Sequence, residues 1–205
     1  MKVMNLIKSA ALAALLFSGS AFAAPVELLV NGSFEADHQA SGTAHKYANL
    51  TGWTGGEHGI ELRNNRVGVA ADGVNFVELD TDRNSSMSQT VRTLLGQHYT
   101  LSFEFQDRAG VDSASQGLSV DWGGKEIGHV NNSLNGGWES RTYALIGDSK
   151  AMDLKFIATG RSDSLGTSLD KVSLTAAVPE PETYAMLLAG LGLVGFAARR
   201  RKAAK

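Results

Sequence analysis

The chain has 205 residues, no cysteine and a formal net charge of −2 at pH 7. The charged residues are unevenly distributed along the chain, because residues 24–181 hold 20 acidic but only 12 basic residues, a formal charge of −8. An acidic domain repels phosphate backbones, which argues against nucleic acid as a partner, and without cysteine the fold must be stabilised by its core rather than by disulfides.

The first 23 residues have the pattern of a secretory signal peptide. Lys2 and Lys8 give a positive start, residues 10–17 are apolar, and residues 21–23 form an A-x-A cleavage site. The alternative, an uncleaved N-terminal anchor, is disfavoured because the apolar run is short and small residues follow it. The sequence therefore predicts that the protein leaves the cytoplasm.

Residues 24–177 show the alternation of apolar and polar residues that is typical of half-buried β-strands. Alternating segments lie at 74–79, 87–93, 97–105, 117–122, 138–146, 151–158 and 167–175. Segments 107–117 and 131–137 have the composition of loops. Roughly eight to ten short strands separated by turn residues predict one all-β domain, a jelly roll or another β-sandwich. A buried parallel sheet would instead show continuous apolar runs.

The last part of the chain, residues 178–205, has three components in order. Pro179, Glu180 and Pro181 come first, an uncharged run of 16 residues follows at 183–198, and a basic cluster closes the segment with Arg199, Arg200, Arg201 and Lys202. As a helix, the run would reach only about 24 Å, against roughly 30 Å of bilayer hydrocarbon. The basic cluster would hold its far end in the cytoplasm. A short transmembrane helix is therefore predicted, with the acidic domain outside.

The same run contains GLGLVG at residues 190–195, which matches a dinucleotide-binding fingerprint in its letters. No predicted strand precedes it and no acidic residue follows it, as such a site requires. Small residues in a membrane helix are the better explanation.

The order of these components resembles the PEP-CTERM sorting signal of Gram-negative bacteria. The resemblance implies that an exosortase, a membrane protease-transferase, recognises the segment and cleaves near Pro179, Glu180 and Pro181. It further implies a precursor tethered transiently to the inner membrane through residues 183–198, which is then released or transferred to the cell envelope, outer surface or exterior. Proteins with this signal typically accompany exopolysaccharide production and biofilm or floc formation.

Two motifs lie near the ends of the predicted domain. Residues 31–35 read NGSFE and are followed by Gly52 and Trp53, and residues 169–174 contain the pattern D-x-V-x-L. Together they resemble the galactose-binding-like jelly rolls, which include many carbohydrate-binding modules. The intervening NFVELD, SQTVRT and GQHYTLSFEF resemble a cell-wall-associated family of unknown function within that fold, known in plants and bacteria. The resemblance covers most of residues 28–175.

A calcium ion is implied by the same resemblance. In many jelly rolls of this kind, calcium joins the first strand to the last, and the matching side-chain ligands here are Glu35 and Asp170. Such a hard cation prefers six to eight oxygen ligands. The alternative is that these two carboxylates cap turns or face solvent. Residues 80–86 also begin like a D-x-D-x-N calcium loop, but Ser85 and Val91 replace the glycine and glutamate of an EF-hand, so a polar turn is predicted there.

Sugar binding would use aromatic faces, for which Trp53, Trp122 and Trp138 are the candidates. Trp53 and Trp122 fall on apolar faces, so a place in the core is the favoured alternative for both. Trp138 follows a loop and is the best candidate for an exposed platform. Tyr47 and Tyr143 are candidates of lower rank than the three tryptophans.

Catalysis finds little support in the sequence. The five histidines have no metal-binding spacing, no G-x-S-x-G motif occurs, and close acidic pairs such as Glu78 and Asp80 are expected on a solvated strand face. The sequence therefore predicts a non-enzymatic exported envelope or matrix protein that associates with or binds exopolysaccharide or a cell-wall glycan. The alternatives are a structural or adhesive surface protein with protein partners, and a polysaccharide-modifying enzyme.

Overall fold

The computed structural model describes residues 25–131 and 136–176, with isolated helical positions at 188, 190–192, 194 and 199. The chain divides into two units, of which Pro25–Ala177 is one, while Met1–Ala24 and Val178–Lys205 form the other. The predicted signal peptide and the motif Pro179, Glu180 and Pro181 lie outside the described residues, as do Arg200 and Arg201. In the described part of the chain, no helix is long and apolar enough to cross a membrane.

The domain is built from short strands, which we number in chain order. They are β1 (Val26–Glu27), β2 (Thr43–Tyr47), β3 (Asn49–Leu50), β4 (Trp53–Gly55), β5 (Ile60–Asn64), β6 (Asn75–Glu78), β7 (Ser86–Arg92), β8 (His98–Gln106), β9 (Leu118–Trp122), β10 (Lys125–Val130), β11 (Glu139–Ile146), β12 (Ala151–Ala158) and β13 (Ser168–Ala176). A 3₁₀ turn at Ser113–Ser115 lies between β8 and β9.

These strands form two antiparallel sheets. Sheet A has the order β11-β8-β13-β6-β5-β2, with β1 paired to one end of β13, and sheet B has the order β10-β9-β12-β7-β4-β3. The last strand therefore sits inside sheet A beside the first, as expected for a jelly roll, and the predicted fold class is confirmed.

The core lies between the inner faces of the two sheets. On β8, Tyr99, Leu101, Phe103 and Phe105 alternate inwards and are buried, as the sequence pattern predicts. The Phe156 ring on β12 meets Phe103 edge-on, with 5.1 Å between ring centroids. Large aromatic side chains bury much apolar area each, which is how a domain without cysteine stabilises its fold.

Trp53 and Trp122 belong to this core, with 2% and 6% of their surfaces exposed. The indole N–H of Trp53 donates to the Asn31 carbonyl oxygen at 3.0 Å, and that of Trp122 donates to the Ile146 carbonyl oxygen at 3.3 Å. Both polar atoms are thus satisfied inside the protein. Their rings are not accessible to a ligand, so the prediction that Trp53 and Trp122 contact a sugar is wrong. The favoured alternative, a place in the core, is correct for both.

The NGSFE turn packs directly on β13. The Val172 N–H donates to the Gly32 carbonyl oxygen at 2.9 Å, and a Cβ at position 32 would lie 1.8 Å from the Val172 carbonyl oxygen. Only glycine permits this approach. The contact places the turn beside a bulge in β13, where the pairing register with β8 shifts between Asp170 and Ser173.

Candidate functional site

The outer face of sheet A carries a row of polar side chains. Because the odd-numbered residues of β8 point into the core, Ser102 and Glu104 point outwards. Ser102 lies in register between Thr142 of β11 and Ser173 of β13. Glu104 lies in register between Ser140 of β11 and Asp170 of β13. Hydroxyl groups and a carboxylate therefore line three adjacent strands.

The bulge in β13 adds a cation to this row. Lys171 sits at the bulge with a φ of 51°, and its side chain is exposed. A bulge typically redirects a side chain out of the regular ladder. Among residues 25–131 and 136–176, neither Lys171 nor Glu104 takes part in an ion pair with another described residue. Both charges are thus free to meet a ligand.

These side chains surround a cavity, which we call the outer groove. Its volume is about 330 Å³, and its lining residues are Ser102, Phe103, Glu104, Ser140, Lys171 and Ser173. The volume falls at the small end of the range for ligand pockets, about 300–1,000 Å³. The outer groove is therefore a polar recess with both donors and acceptors.

Trp138 contacts the loop between β5 and β6. It directly precedes β11, two positions before Ser140, so strand alternation places both side chains on the same face. Its indole N–H donates to the Val69 carbonyl oxygen at 2.9 Å, and its ring meets Phe76 edge-on at 5.9 Å between centroids. Trp138 is half-buried, so part of its ring surface is accessible beside the outer groove. Its role as a sugar platform stays a prediction.

Glu35 and Asp170 hold the same loop from two sides. Glu35 Oε1 accepts the backbone N–H groups of Val74 and Asn75 at 2.8 and 2.7 Å. Asp170 Oδ2 accepts those of Ala71 and Asp72 at 2.7 and 2.9 Å, and its Oδ1 accepts that of Lys171 at 2.6 Å. The two predicted calcium ligands are thus brought to one loop, residues 71–75, next to the outer groove.

Asp170 is fully buried, whereas Glu35 is exposed. Burial raises the pKa of Asp170 from 3.8 to about 7, although the amides of Asp72, Lys171 and Ala71 lower it in part. The buried carboxyl group therefore carries less negative charge near neutral pH than an exposed aspartate would.

This donor set fits a calcium ion only in part. Glu35 Oε1 and Asp170 Oδ2 each accept two N–H groups, which are donors and cannot serve as cation ligands. In the described part of the chain, no group of three or more histidine, cysteine, aspartate or glutamate side chains is placed to hold a metal. The backbone amides already tie the loop to the two carboxylates, and a calcium ion there stays a prediction.

A buried ionic cluster lies on the same face of sheet A, on β5 and β6. The Arg63 guanidinium forms ion pairs with Glu61, at 2.6 Å, and with Glu78. Glu78 and Asp80 are 0% and 1% exposed, so the expectation that these two acids face solvent is wrong. Burial raises the pKa of Glu78 to about 8, against the opposing effect of Arg63.

The buried acids bind the loop that precedes β13. Asp80 Oδ2 accepts the N–H groups of Asp163 and Leu165 at 3.0 and 3.2 Å, and Glu78 Oε1 accepts that of Gly166 at 2.9 Å. Asp80 and Asn84 also pair as an isolated bridge, so residues 80–86 form a turn between β6 and β7 as predicted. The acids at positions 78 and 80 thus have a structural role away from the outer groove.

Two sequence families match the chain. Residues 27–175, which are most of the chain, match the model of the family described as "Protein of unknown function (DUF642)". The chain belongs to this family. Residues 177–202 match the PEP-CTERM protein-sorting motif, which implies export through an exosortase sorting system to the envelope. None of the curated proteins compared with the chain matches it.

Solved structures that are similar to the chain include carbohydrate-binding modules. TmCBM61, in complex with β-1,4-galactotriose, is 18% identical over 74% of this chain and 99% of its own, with a TM-score of 0.50. A family 35 carbohydrate-binding module from Clostridium thermocellum is 12% identical over 66% and 99% of the two chains, with a TM-score of 0.47. An arabinose-bound α-L-arabinofuranosidase, MgGH51, is 14% identical over 73% of this chain but only 26% of its own, with a TM-score of 0.49. At these identities the likeness to TmCBM61 concerns the fold.

Proposed function

We propose that this chain is an exported envelope or matrix protein whose outer groove binds exopolysaccharide or a cell-wall glycan. The observation that carries the proposal is the composition of the groove, in which hydroxyl groups, one carboxylate and one ammonium group converge on a cavity of about 330 Å³. A sugar ring presents several hydroxyl groups, each of which both donates and accepts hydrogen bonds. The groove offers partners of both kinds.

The individual groups suit this task. Glu104 accepts hydrogen bonds through two oxygens, Lys171 donates three, and the hydroxyl groups of Ser102, Ser140 and Ser173 do both. Hydrogen bonds to a charged partner are about twice as strong as neutral ones. Glu104 and Lys171 would therefore supply most of the affinity, and the serines would orient the sugar.

The surroundings of the groove favour a ready-made site. The bulge in β13 sets the backbone position of Lys171, and Glu104 projects from β8, which is paired on both sides. A site on strands needs little ordering when a ligand binds, which lowers the entropic cost of association. Trp138, anchored by its hydrogen bond to Val69, would add an aromatic surface at one end.

The sorting motif gives the setting for this activity. We propose that the precursor is exported, is held transiently at the inner membrane of a Gram-negative bacterium through residues 183–198, and is processed by an exosortase near Pro179, Glu180 and Pro181. The domain would then act at the cell envelope, at the outer surface or in the exterior matrix, where polysaccharides are abundant.

A glycan array tests the proposal. The full chain, kept soluble in mild detergent, should bind a defined class of polysaccharide, and Trp138→Ala should weaken that binding while the circular dichroism spectrum is unchanged. Absence of binding to any glycan, together with capture of a surface protein, would favour the structural or adhesive alternative. Turnover of a bound polysaccharide that a single carboxylate change abolishes would favour the enzymatic alternative.

A further inference from the structure

One end of the sandwich exposes a cluster of apolar side chains, which we call the apolar tip. Its members are Leu94, Leu95 and Ile146, which are 69%, 78% and 58% exposed. Isolated exposed apolar residues are common on protein surfaces, but a contiguous group is not. The apolar tip borders the core, since Ile146 directly follows the buried Leu145, but its own side chains are mostly exposed.

Backbone contacts hold the members of the apolar tip together. The turn after β7 pairs with the end of β11, since the Gly96 N–H donates to the Gly147 carbonyl oxygen and the Gly147 N–H donates to the Gln97 carbonyl oxygen, both at 3.0 Å. The Leu94 N–H donates to the Tyr99 hydroxyl oxygen at 2.9 Å. Leu94 and Leu95, in the turn after β7, therefore lie beside Ile146, the last residue of β11.

Both ends of the described domain reach the same place. Ala176, the last residue of β13, is in register with Tyr99 on one side and with Val26 on the other. Tyr99 is in turn in register with Leu145 of β11. The chain thus leaves the sandwich beside the apolar tip.

The sequence continues from this point towards its apolar run. Only residues 177–182 separate Ala176 from the start of that run at Thr183. Seven extended peptide units reach at most about 25 Å. The linker is therefore long enough for the apolar tip, beside which the chain leaves the sandwich, to reach a bilayer.

Two basic residues, Arg92 and Lys150, lie beside the apolar tip, together with the acidic Asp148. Arg92 ends β7 and pairs in register with Ala151, and the Thr93 N–H donates to the Lys150 carbonyl oxygen at 3.0 Å. Lys150 also forms an exposed 3.8 Å ion pair with Asp148. Exposed apolar side chains with basic residues beside them are typical of surfaces that lie in the interface of an anionic bilayer.

We propose that the apolar tip docks on the lipid surface while the precursor is tethered. Leu94, Leu95 and Ile146 would enter the headgroup region, with Arg92 and Lys150 at the level of the lipid phosphates. This contact would keep the outer groove and its loops away from the bilayer and limit rotation of the domain about its tether. The inference rests on the membrane-tethered precursor of the proposed function, but not on its glycan site.

Single-site labelling of the full chain tests this docking, since the absence of cysteine makes any introduced thiol unique. Leu95→Cys is labelled with an environment-sensitive fluorophore and reconstituted into vesicles of phosphatidylglycerol and phosphatidylcholine that contain spin-labelled lipid. The matched control is Ala109→Cys, an exposed position in the loop at the opposite end of β8. We expect a blue shift and strong quenching at position 95, and neither at position 109.

Further variants separate the outcomes. Leu94→Asp in the Leu95→Cys background should abolish the quenching, and Arg92→Gln should reduce the preference for phosphatidylglycerol over phosphatidylcholine by about fivefold. Equal spectra at positions 95 and 109 in vesicles that carry the protein would overturn the docking alone. Failure of the full chain to float with vesicles would overturn the docking together with the tethered precursor.

Discussion

Asp170 gives the sharpest test of how the loop beside the outer groove is held. Its carboxylate accepts three backbone N–H groups, two at Oδ2 and one at Oδ1, inside a fully buried environment. In Asp170→Asn, one of the oxygens becomes an NH₂ group, which leaves at least one N–H donor facing another donor. An unsatisfied buried donor costs about 1–3 kcal/mol. We expect this loss in the free energy of unfolding at pH 4.

The pH dependence of this loss follows from the raised pKa. Between the unfolded value of 3.8 and the folded value of about 7, the unfolded chain releases the proton and the folded chain keeps it. Stability conferred on the wild type by protonated Asp170 is therefore present below pH 4 and is lost as the pH rises towards 7. At about 1.4 kcal/mol per pH unit, the loss amounts to at most about 4 kcal/mol. The asparagine side chain in the variant has no such proton, so the deficit of Asp170→Asn should shrink or reverse by pH 8.

Urea unfolding of the wild type and Asp170→Asn from pH 4 to 8, in buffer with a chelator, measures the deficit directly. Glu78 also titrates in this range, but it is present in both proteins and cancels in the difference. Asp153→Asn, the same change at an exposed position on β12, serves as the control and should show a constant small difference. A deficit for Asp170→Asn that widens towards pH 8 would instead show that the ionised carboxylate is the form that the fold stabilises.

Three further changes test other parts of the structure. Gly73→Ala should lower the free energy of unfolding by about 1–3 kcal/mol. Residue 73 has a φ of +68°, and a Cβ there would lie 2.4 Å from Glu35 Oε1. An unchanged urea midpoint would contradict this expectation. Trp53→Ala should cost about 3–5 kcal/mol in the same assay, as expected for a buried aromatic ring, and a loss below about 1 kcal/mol would place the ring outside the core. If calcium is bound at Glu35 and Asp170, a chelator should lower the melting temperature, whereas an unchanged value would count against the ion.

The jelly roll could be predicted because its signals are local. Strand alternation in β8, β9, β12 and β13 is visible in the sequence, since one face of each strand packs in the core. The NGSFE motif was recognised by its resemblance to galactose-binding-like jelly rolls, and the structure adds that its glycine meets a backbone carbonyl of β13. These features depend on a few residues each.

Other strands escaped prediction for physical reasons. β2 is an edge strand with mostly exposed residues, and β1 and β3 have only two residues each. β5 was not predicted because both of its faces are covered, and β6, predicted at 74–79, lacks the expected solvated face for the same reason. Arg63 and Glu78 are buried under loops, as an ion pair whose partners are not adjacent in sequence.

The outer groove was equally hidden from the sequence. Its residues come from three strands, and the charge of Lys171 enters it through a bulge that shifts the register of β13. Periodicity predicts which residues of a strand face outwards, but not which strands are neighbours. Ser102, Glu104 and Ser173 therefore looked like an ordinary solvated face until the strand order was known.

The most direct test of the account is the contribution of Glu104 to glycan affinity. Isothermal titration calorimetry measures the affinity of the wild type, Glu104→Gln and Glu126→Gln for the oligosaccharide that the array identifies. Glu126, an exposed carboxylate on β10 of sheet B, is the control position. A hydrogen bond to a charged group contributes about 1.5–3 kcal/mol, so Glu104→Gln should weaken binding about tenfold or more, while Glu126→Gln leaves it unchanged. Equal affinities for all three proteins would contradict a glycan site in the outer groove.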